Sequence, residues 1–263
     1  MHPTLAYIED LARRAGEILR TGYGQQHQID YKGEADLVTE VDRASEALIL
    51  GELMRQFPEH SIFSEESGER AGNAEDVWFI DPLDGTLNYA HGMQAFCVSI
   101  AYEHSGALQF AAVYDPMANE LFSAERGQGA WLNGKPIRVS NPPSLRESLL
   151  VTGFPYDVRT SPRNNFAEFE RFSRLSQGVR RLGSAALDMC YVAAGRLDGY
   201  WQLKLSAWDL AAGALLVQEA GGVATGVLGQ TEILRQQNGV LAASAGLHAE
   251  MLGVLQQVRV DSD

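Results

Sequence analysis

The order of predicted elements indicates an α+β protein with a layered fold. Two stretches near the start carry apolar residues at helical spacing, and a group of strand-like runs follows them. Beyond about residue 148, single strands alternate with helical patterns. Strands mixed with helices in this way are expected to form sheets that are covered by helices.

The first half of the chain contains two predicted helices followed by predicted strands. One helix is expected over residues 4–20, with Thr4 as its N-cap, and a second over about residues 39–57, ending before Pro58. Asn133 and Gly134 predict the turn of a later hairpin. Gly, Pro and Asn separate the predicted strands, which are Ser61–Ser64, Val77–Ile80, Phe96–Tyr102, Gln109–Tyr114 and Glu120–Ala124.

Residues 141–147, NPPSLRE, are the predicted seam between two lobes. We expect one domain over residues 1–263, with lobes of about 1–143 and 144–263. The elements predicted after the seam are strands Leu149–Thr152, Gly199–Leu203 and Gly239–Ala243, and helices over about 164–177, 184–194, 209–220 and 247–258.

Composition is that of an ordinary globular enzyme with an acidic surface. Hydrophobic residues make up 45%, charged residues 21%, and the formal net charge is −13. Such a surface repels phosphate backbones, so we expect no nucleic-acid partner. Early charges argue against a secretory signal, no apolar run approaches the roughly 20 residues that span a bilayer, and a cytoplasmic protein without membrane contact is expected. Cys97 and Cys190 are expected to be buried, reduced thiols.

The segment VWFIDPLDGTLNY carries the main chemical signal. Asp81 and Asp84 follow four apolar residues of a predicted buried strand, and Pro82 between them is expected to stop the strand. Two carboxylates at one strand exit repel each other unless a cation lies between them. Oxygen ligands suit Mg²⁺ or Mn²⁺ better than Zn²⁺. By itself the motif favours a plain Asp-Gly turn with an N-cap aspartate.

Three other acidic segments allow similar alternatives. Glu65 and Glu66 follow a short strand, where a solvated acidic turn is common. Asp209 precedes an apolar helix, as an ordinary N-cap does. Asp36, Glu40 and Asp42 surround a helix start, where acidic residues favour the helix dipole.

Taken together and in this order, the acidic segments resemble the inositol monophosphatase family. The matching segments are DLVTEVD (36–42), SEES (64–67), DPLDGT (81–86), GSAALD (183–188) and WDLAAG (208–213). The resemblance implies an αβαβα sandwich and Mg²⁺-dependent hydrolysis of small phosphate monoesters such as inositol monophosphate. It also implies a homodimer and a phosphorylated polyol or sugar as substrate.

The resemblance assigns a role to each matching residue. Two Mg²⁺ ions, and a weaker third near Glu65, would be held by Glu65, Asp81, the carbonyl of Leu83, Asp84 and Asp209. Thr86 and Asp42 would orient and deprotonate a water, with no covalent phosphoenzyme. Glu66 would support the ligands, and Lys32 would lie near the mouth of the site or be a plain surface lysine. Substrate contacts would come from Gly85, Thr86, Gly183, Ser184, Ala185, Gln202 and Asp209.

Several functions stay open on the sequence. The same metal-binding core serves fructose-1,6-bisphosphatase, histidinol-phosphate phosphatase and phosphatases of nucleotides or NADP. A non-catalytic regulatory protein and a simple sugar- or nucleotide-binding module are further alternatives. Gln202 departs from the inositol-directed relatives, which carry glutamate seven residues before the W-D aspartate, so broad sugar-phosphate specificity is expected. Lys204 could attract a second phosphate if it faces the pocket, or could simply face solvent.

Overall fold

The computed structural model describes residues 2–31, 37–235 and 238–260. Its helices are α1 (Leu5–Gly22), α2 (Glu40–Gln56), α3 (Thr86–Ala90), α4 (Phe166–Leu175), α5 (Ala185–Ala193), α6 (Ala207–Glu219) and α7 (Ala245–Val260). A 3₁₀ turn spans Leu145–Glu147. Within the described residues, no helix is both long enough and apolar enough to cross a membrane.

The strands are numbered in chain order. They are β1 (Ile29–Tyr31), β2 (Leu37–Thr39), β3 (His60–Ser64), β4 (Gly68–Arg70), β5 (Asn73–Asp84), β6 (Cys97–His104), β7 (Ala107–Asp115), β8 (Glu120–Glu125), β9 (Gly129–Leu132), β10 (Lys135–Pro136), β11 (Leu149–Thr152), β12 (Gly178–Arg180), β13 (Gly199–Gln202), β14 (Val223–Thr225) and β15 (Val240–Ala243).

Two large sheets organise the molecule. The eight-stranded sheet has the order β10-β9-β8-β7-β6-β5-β3-β4, and only β3 and β5 run parallel within it. The five-stranded sheet has the order β12-β11-β13-β15-β14. Its strands come from residues after 148. The division of the chain into two lobes near residues 141–147 stays a prediction.

The helices form three layers around these sheets. Helices α1 and α2 cover one face of the eight-stranded sheet, α5 and α6 lie between the two sheets, and α4 and α7 cover the far face of the five-stranded sheet. Side chains alternate along β5, so Trp78 and Ile80 pack toward α1 and α2, whereas Val77 and Phe79 pack toward α5 and α6. The predicted αβαβα sandwich is therefore confirmed.

Strand β5 corrects one expectation. Pro82 does not stop the strand, because pairing with β6 resumes at Asp84 opposite Cys97 after an irregularity between Asp81 and Asp84. Proline is tolerated at such a bulge, where no ladder hydrogen bond is required from its nitrogen. The bulge keeps both aspartates on one buried strand end.

Several local predictions agree with the structure. Thr4 caps α1 by accepting a hydrogen bond from the N–H of Tyr7. Asn133 and Gly134 both have positive φ at the β9–β10 turn. Cys97 and Cys190 are free and buried. The described structure adds short strands that sequence periodicity did not predict, namely β1, β2, β4, β12 and β14.

Candidate metal and phosphate site

Glu65 and Asp81 lie next to each other because Glu65 directly follows β3 and Asp81 lies in the parallel neighbouring strand β5. Ser64 at the end of β3 pairs with Ile80 in β5, and the N–H of Glu65 donates to the carbonyl of Ile80 at 3.2 Å. The carboxyl ends of parallel strands meet at one edge of a sheet. The sheet register therefore brings two carboxylates together from residues 16 positions apart.

Asp84 binds the start of α5. Its Oδ2 accepts hydrogen bonds from the Ser184 hydroxyl at 2.6 Å and the Ala186 N–H at 2.7 Å, and its Oδ1 lies 3.3 Å from the Ala185 nitrogen. The N-terminus of a helix stabilises an anion through its unpaired N–H groups and its dipole. Cys97 Sγ also lies 3.8 Å from Oδ2, so Oδ1, which has only the long contact with Ala185, is the oxygen that keeps capacity for a cation.

Asp209 lies in the first turn of α6. The structure makes Ser206 the N-cap and Asp209 the third helical residue, so the alternative of Asp209 as N-cap is wrong. Its Oδ2 accepts a hydrogen bond of 2.7 Å from the backbone N–H of Ser206. This helix–carboxylate contact holds the side chain without neutralising its charge.

The carboxylates of Glu65, Asp81, Asp84 and Asp209 lie close enough to interact electrostatically, as one carboxylate cluster. Burial raises the pKa of Asp81 well above its ordinary value, and the charges of Glu65, Asp84 and Asp209 raise it further. Burial also raises the pKa of Asp84, although hydrogen bonds from Ser184, Ala186 and Ala185 oppose that shift. Mutual repulsion in a buried site is relieved by a cation among the oxygens.

The donor chemistry fits a hard divalent cation. Glu65, Asp81, Asp84 and Asp209 supply carboxylate oxygens only, which suits Mg²⁺ or Mn²⁺. The N–H of Leu83 donates to Asp81 Oδ1 at 3.1 Å. These observations support a metal site at the end of β5, whereas the identity of the ion is a proposal.

Thr86 and Asp42 form a hydrogen-bonded pair beside the cluster. The hydroxyl of Thr86 lies 2.9 Å from Asp42 Oδ1 and 3.0 Å from the carbonyl of Leu83, and it can donate to either oxygen. Asp42 Oδ2 accepts hydrogen bonds from the N–H and the hydroxyl of Thr39. Burial raises the pKa of Asp42, against the opposing effect of its bonds from Thr39 and Thr86.

Gly85 makes the turn between β5 and α3 possible. Its φ of 96° is in the left-handed region, and a Cβ there would lie 2.7 Å from the carbonyl oxygen of Ala95. Any other residue would push the Asp84 and Thr86 backbone away from the cluster. The sequence motif therefore has a steric reason for glycine at this position.

The predicted substrate residues after residue 148 lie at the start of α5 and at the end of the central strand β13. Ser184 and Ala185 contact Asp84, and Gly183 precedes them with a φ of 91°. Gln202 ends β13, and its Oε1 accepts a hydrogen bond of 2.8 Å from the hydroxyl of Tyr200. The role of these residues toward a substrate stays a prediction.

Lys204 does not continue the strand face of Gln202. It follows the end of β13 with a φ of 54°, and its Nζ lies 2.6 Å from both Asp157 Oδ2 and Ser161 Oγ. The Asp157 carboxylate thus balances the positive charge of Lys204, which therefore attracts a second phosphate less strongly. Lys32 and Asp36 lie outside the described residues.

Sequence reasoning missed three supporting residues. Ser45 donates to the carbonyl of Pro82 at 2.9 Å, and Glu46 accepts hydrogen bonds from Ser64 and from Ser67, holding the turn that carries Glu65. Asn88 joins the two halves of the site by donating to the carbonyls of Ala95 and Leu182, each at 2.7 Å.

A sequence signal for two of them was present. Asp42, Ser45 and Glu46 have the spacing of residues on one helical face, and all three are buried. Polar residues on the helix face that also carries Ile49 and Leu53 indicate a buried polar contact. Asn88 gave no such signal, because its partner in the second half of the chain, Leu182, lies 94 residues away.

The fold and the carboxylate cluster define a class of metal-dependent phosphatase. The chain belongs to the inositol monophosphatase family, whose sequence profile matches residues 1–259.

Individual relatives are similar to this chain over most of its length. Nus factor SuhB of Escherichia coli is 44% identical over 232 residues, covering 87% of each chain. The structure of inositol monophosphatase from Anabaena is 44% identical with a TM-score of 0.85, covering 96% of this chain and 95% of that one. The Thermotoga maritima IMPase is 35% identical with a TM-score of 0.89, covering 98% and 99%.

The expectation that nucleic acid is excluded as a partner is wrong. It rested on the net charge of −13, but curated relatives at up to 44% identity carry the name Nus factor. Net charge averages over the whole surface, so it does not describe any single face of the protein.

Proposed function

We propose that the chain is a Mg²⁺-dependent phosphatase of small phosphate monoesters, with inositol monophosphate among its substrates. The cluster of Glu65, Asp81, Asp84 and Asp209 carries this proposal, because four carboxylates around a buried strand end need a cation. The name of the Anabaena relative supports the reaction class.

Five groups would hold the metal. These are the carboxylates of Glu65, Asp81, Asp84 and Asp209 and the main-chain carbonyl of Leu83, for two ions with a weaker third near Glu65. Bound Mg²⁺ lowers the pKa of water and neutralises charge on phosphate oxygens. Mn²⁺ has similar ligand preferences and is a second candidate.

Thr86 and Asp42 would act on the attacking water. Thr86 Oγ1 already lies 2.9 Å from Asp42 Oδ1, so a water that donates to Thr86 can pass its proton toward that carboxylate. Burial raises the pKa of Asp42, which makes it a better proton acceptor than an exposed aspartate. The backbone at Gly85 and Thr86 would receive the phosphate, and Glu66 would support the ligands.

Substrate contacts would come from the second half of the chain. Gly183, Ser184, Ala185 and Gln202 would meet the hydroxyl groups of the substrate, together with Asp209. Gln202 offers a carbonyl acceptor and an amide donor where glutamate would be a charged acceptor. Lys204 is paired with Asp157, so we do not assign it to a second phosphate.

The direct test is phosphate release from a substrate panel. The panel contains inositol monophosphate, fructose-1,6-bisphosphate, histidinol phosphate and a nucleotide 3′-phosphate, each with Mg²⁺ and with excess chelator. Activity that disappears with chelator and returns with Mg²⁺ is expected. Full activity in chelator, or none with any substrate and Mg²⁺, would overturn the proposal. The homodimer stays a prediction, which sedimentation analysis would test.

A second candidate function is that of a Nus factor, supported by the name of the E. coli relative. The test is whether expression of this chain corrects the defect of an E. coli strain that lacks SuhB. The Asp81→Asn variant separates the two functions, because it should lose phosphate release. Rescue by that variant would mean that the second function does not need hydrolysis, and failure of the unmodified chain would contradict the candidate.

A further inference from the structure

A second group of metal-ligating side chains lies at the opposite end of β5 from the carboxylate cluster. Asp76 and His104 are cross-strand partners on β5 and β6, and His2 lies just before α1. Asp76 precedes Asp81 by five residues, or about 17 Å along a strand. This group, called the His-Asp-His cluster below, has no part in the proposed phosphatase site.

The three ligand atoms face one another. His104 Nδ1 lies 2.8 Å from Asp76 Oδ1, and His2 Nδ1 lies 3.7 Å from the same oxygen. Each of the three residues offers one ligand atom within 4.8 Å of those of the other two. Four-coordinate Zn²⁺ with ligands at about 2.0–2.1 Å places neighbouring ligand atoms about 3.4 Å apart. The observed spacings bracket that value, so modest side-chain rotations would close the site.

The surrounding residues hold Asp76 in place. Tyr102 donates its hydroxyl proton to Asp76 Oδ1, and its oxygen accepts a hydrogen bond of 3.1 Å from His2 Nδ1. Asn73 donates to Asp76 Oδ2 at 3.0 Å. His60 Nε2 lies 3.8 Å from Oδ2, and its Nδ1 accepts from the indole N–H of Trp78, which leaves the proton on Nε2. Such supporting contacts orient a ligand carboxylate and reduce the entropy lost on metal binding.

We propose that His2, Asp76 and His104 form a Zn²⁺ site with water at the fourth position. Imidazole nitrogens favour Zn²⁺ over Mg²⁺, whereas the carboxylate cluster at Asp81 offers oxygens only. The ionised Asp76 is an acceptor, so its bond with His104 requires a proton on Nδ1 of that ring. Nδ1 of His2 also carries a proton, because the Tyr102 oxygen accepts from it. On Zn²⁺ binding each of the two Nδ1 atoms would give up its proton, and Nε2 of the same ring would carry the ring proton instead.

The bound ion would tie the segment before α1 to the sheet. His2 is mostly exposed, with 64% of its side chain accessible, whereas the Asp76 side chain is 10% accessible. Zn²⁺ would therefore fix an exposed side chain to a buried strand residue. We expect a stabilising effect that is independent of phosphatase chemistry.

The test uses tag-free protein, stripped of metal and returned to a large excess of Mg²⁺. ZnCl₂ is titrated into the unmodified protein, His2→Gln, His104→Gln and the matched control His91→Gln, which changes an exposed histidine outside the cluster. Calorimetry gives stoichiometry and affinity, and long-range ¹H–¹⁵N spectra identify the ring nitrogens that bind. Asp81→Asn protein is titrated in parallel to report any Zn²⁺ held by the carboxylate cluster.

We expect one Zn²⁺ per chain in the unmodified protein, in His91→Gln and in Asp81→Asn. Loss of a supporting residue alone weakens metal binding by 10–100-fold, so loss of a ligand in His2→Gln or His104→Gln should cost at least about 100-fold. The Nδ1 resonances of His2 and His104 should shift on binding. Equal affinity in His104→Gln and the unmodified protein, no uptake at all, or uptake that is lost in Asp81→Asn would each overturn the proposal.

Discussion

Replacing Asp209 by asparagine separates a structural role from a metal-binding role. The Asp209 carboxylate accepts a hydrogen bond of 2.7 Å from the backbone N–H of Ser206, and asparagine offers an amide oxygen for the same hydrogen bond. The lost charge removes a helix-dipole interaction of about 0.3–1 kcal/mol. It also removes one of the charges that raise the pKa of Asp81, which should stabilise the metal-free protein.

The two effects oppose each other, so Asp209→Asn in chelator should unfold within about 1 kcal/mol of the unmodified protein. With Mg²⁺ at 100 times its dissociation constant, the unmodified protein gains about 2.7 kcal/mol. That gain corresponds to a rise in Tm of roughly 5–10 °C for a chain of this size. Asp209→Asn should show less than half of this Mg²⁺-dependent rise in Tm.

Catalysis should respond more strongly than stability. Loss of a charged metal ligand costs several kcal/mol of transition-state stabilisation, which is about 10²–10³-fold in kcat. The assays are thermal unfolding with chelator and with Mg²⁺, and steady-state phosphate release.

Ser206→Ala is the matched control, because it alters the N-cap of the same helix and keeps the Asp209 charge. It should lose about 0.5–2 kcal/mol of stability in both conditions and retain the full response to Mg²⁺. Equal Mg²⁺ stabilisation of Asp209→Asn and the unmodified protein, with near-native kcat, would refute the metal role of Asp209.

Three further predictions concern the proton path, specificity and a buried acid. Thr86→Ala should retain Mg²⁺-dependent stabilisation but lose about 10²–10⁴-fold in kcat; Asp42→Asn should act in the same direction, and unchanged turnover in both would point to another water-activating group. Gln202→Glu should raise kcat/KM for inositol monophosphate relative to fructose-1,6-bisphosphate by roughly 10-fold, the difference of about 1–1.5 kcal/mol between a charged and a neutral hydrogen bond; an unchanged ratio would mean that Gln202 does not contact substrate. Asp188 is buried, and neither of its carboxyl oxygens has a hydrogen-bond partner among the described residues. Burial, and then the charge of Asp84, raise its pKa well above the ordinary value. Its folded-state pKa thus exceeds its unfolded-state pKa, and its contribution to stability falls as pH rises above about 4. Asp188→Asn should therefore be more stable than the unmodified protein at pH 8, with a difference that shrinks toward pH 4 in chemical denaturation; a variant less stable at pH 8 would contradict this assignment.

The long periodic elements could be predicted from sequence with few errors. Helix α1 begins at Leu5 after the expected Thr4 cap, and α2 begins at Glu40 as expected. Both have local causes, since helical spacing and capping depend on residues a few positions apart. Short strands such as β4 and β12 have three residues each, too few to show a periodic pattern.

The Asp81–Asp84 segment shows where local rules fail. Proline at position 82 predicted the end of the strand, yet β5 resumes its pairing two residues later. The partner strand β6 decides this outcome, because it accommodates a bulge that a single-strand pattern cannot reveal. Lys204 is a similar case, since its partner Asp157 lies 47 residues away.

Motifs and short-range periodicity in the sequence were enough to identify the acidic residues and to predict a layered α+β fold, and the resemblance of the motifs to a known family added the αβαβα sandwich. Which carboxylates lie together, and which contacts hold them, depends on the folded chain. Asp84 meets Ser184 across 100 residues, and Asp42 meets Thr86 across 44. The His-Asp-His cluster likewise joins His2 to a strand pair that begins more than 70 residues later. Such contacts depend on sheet register and helix packing, which the whole chain must satisfy at once, so no local segment encodes them.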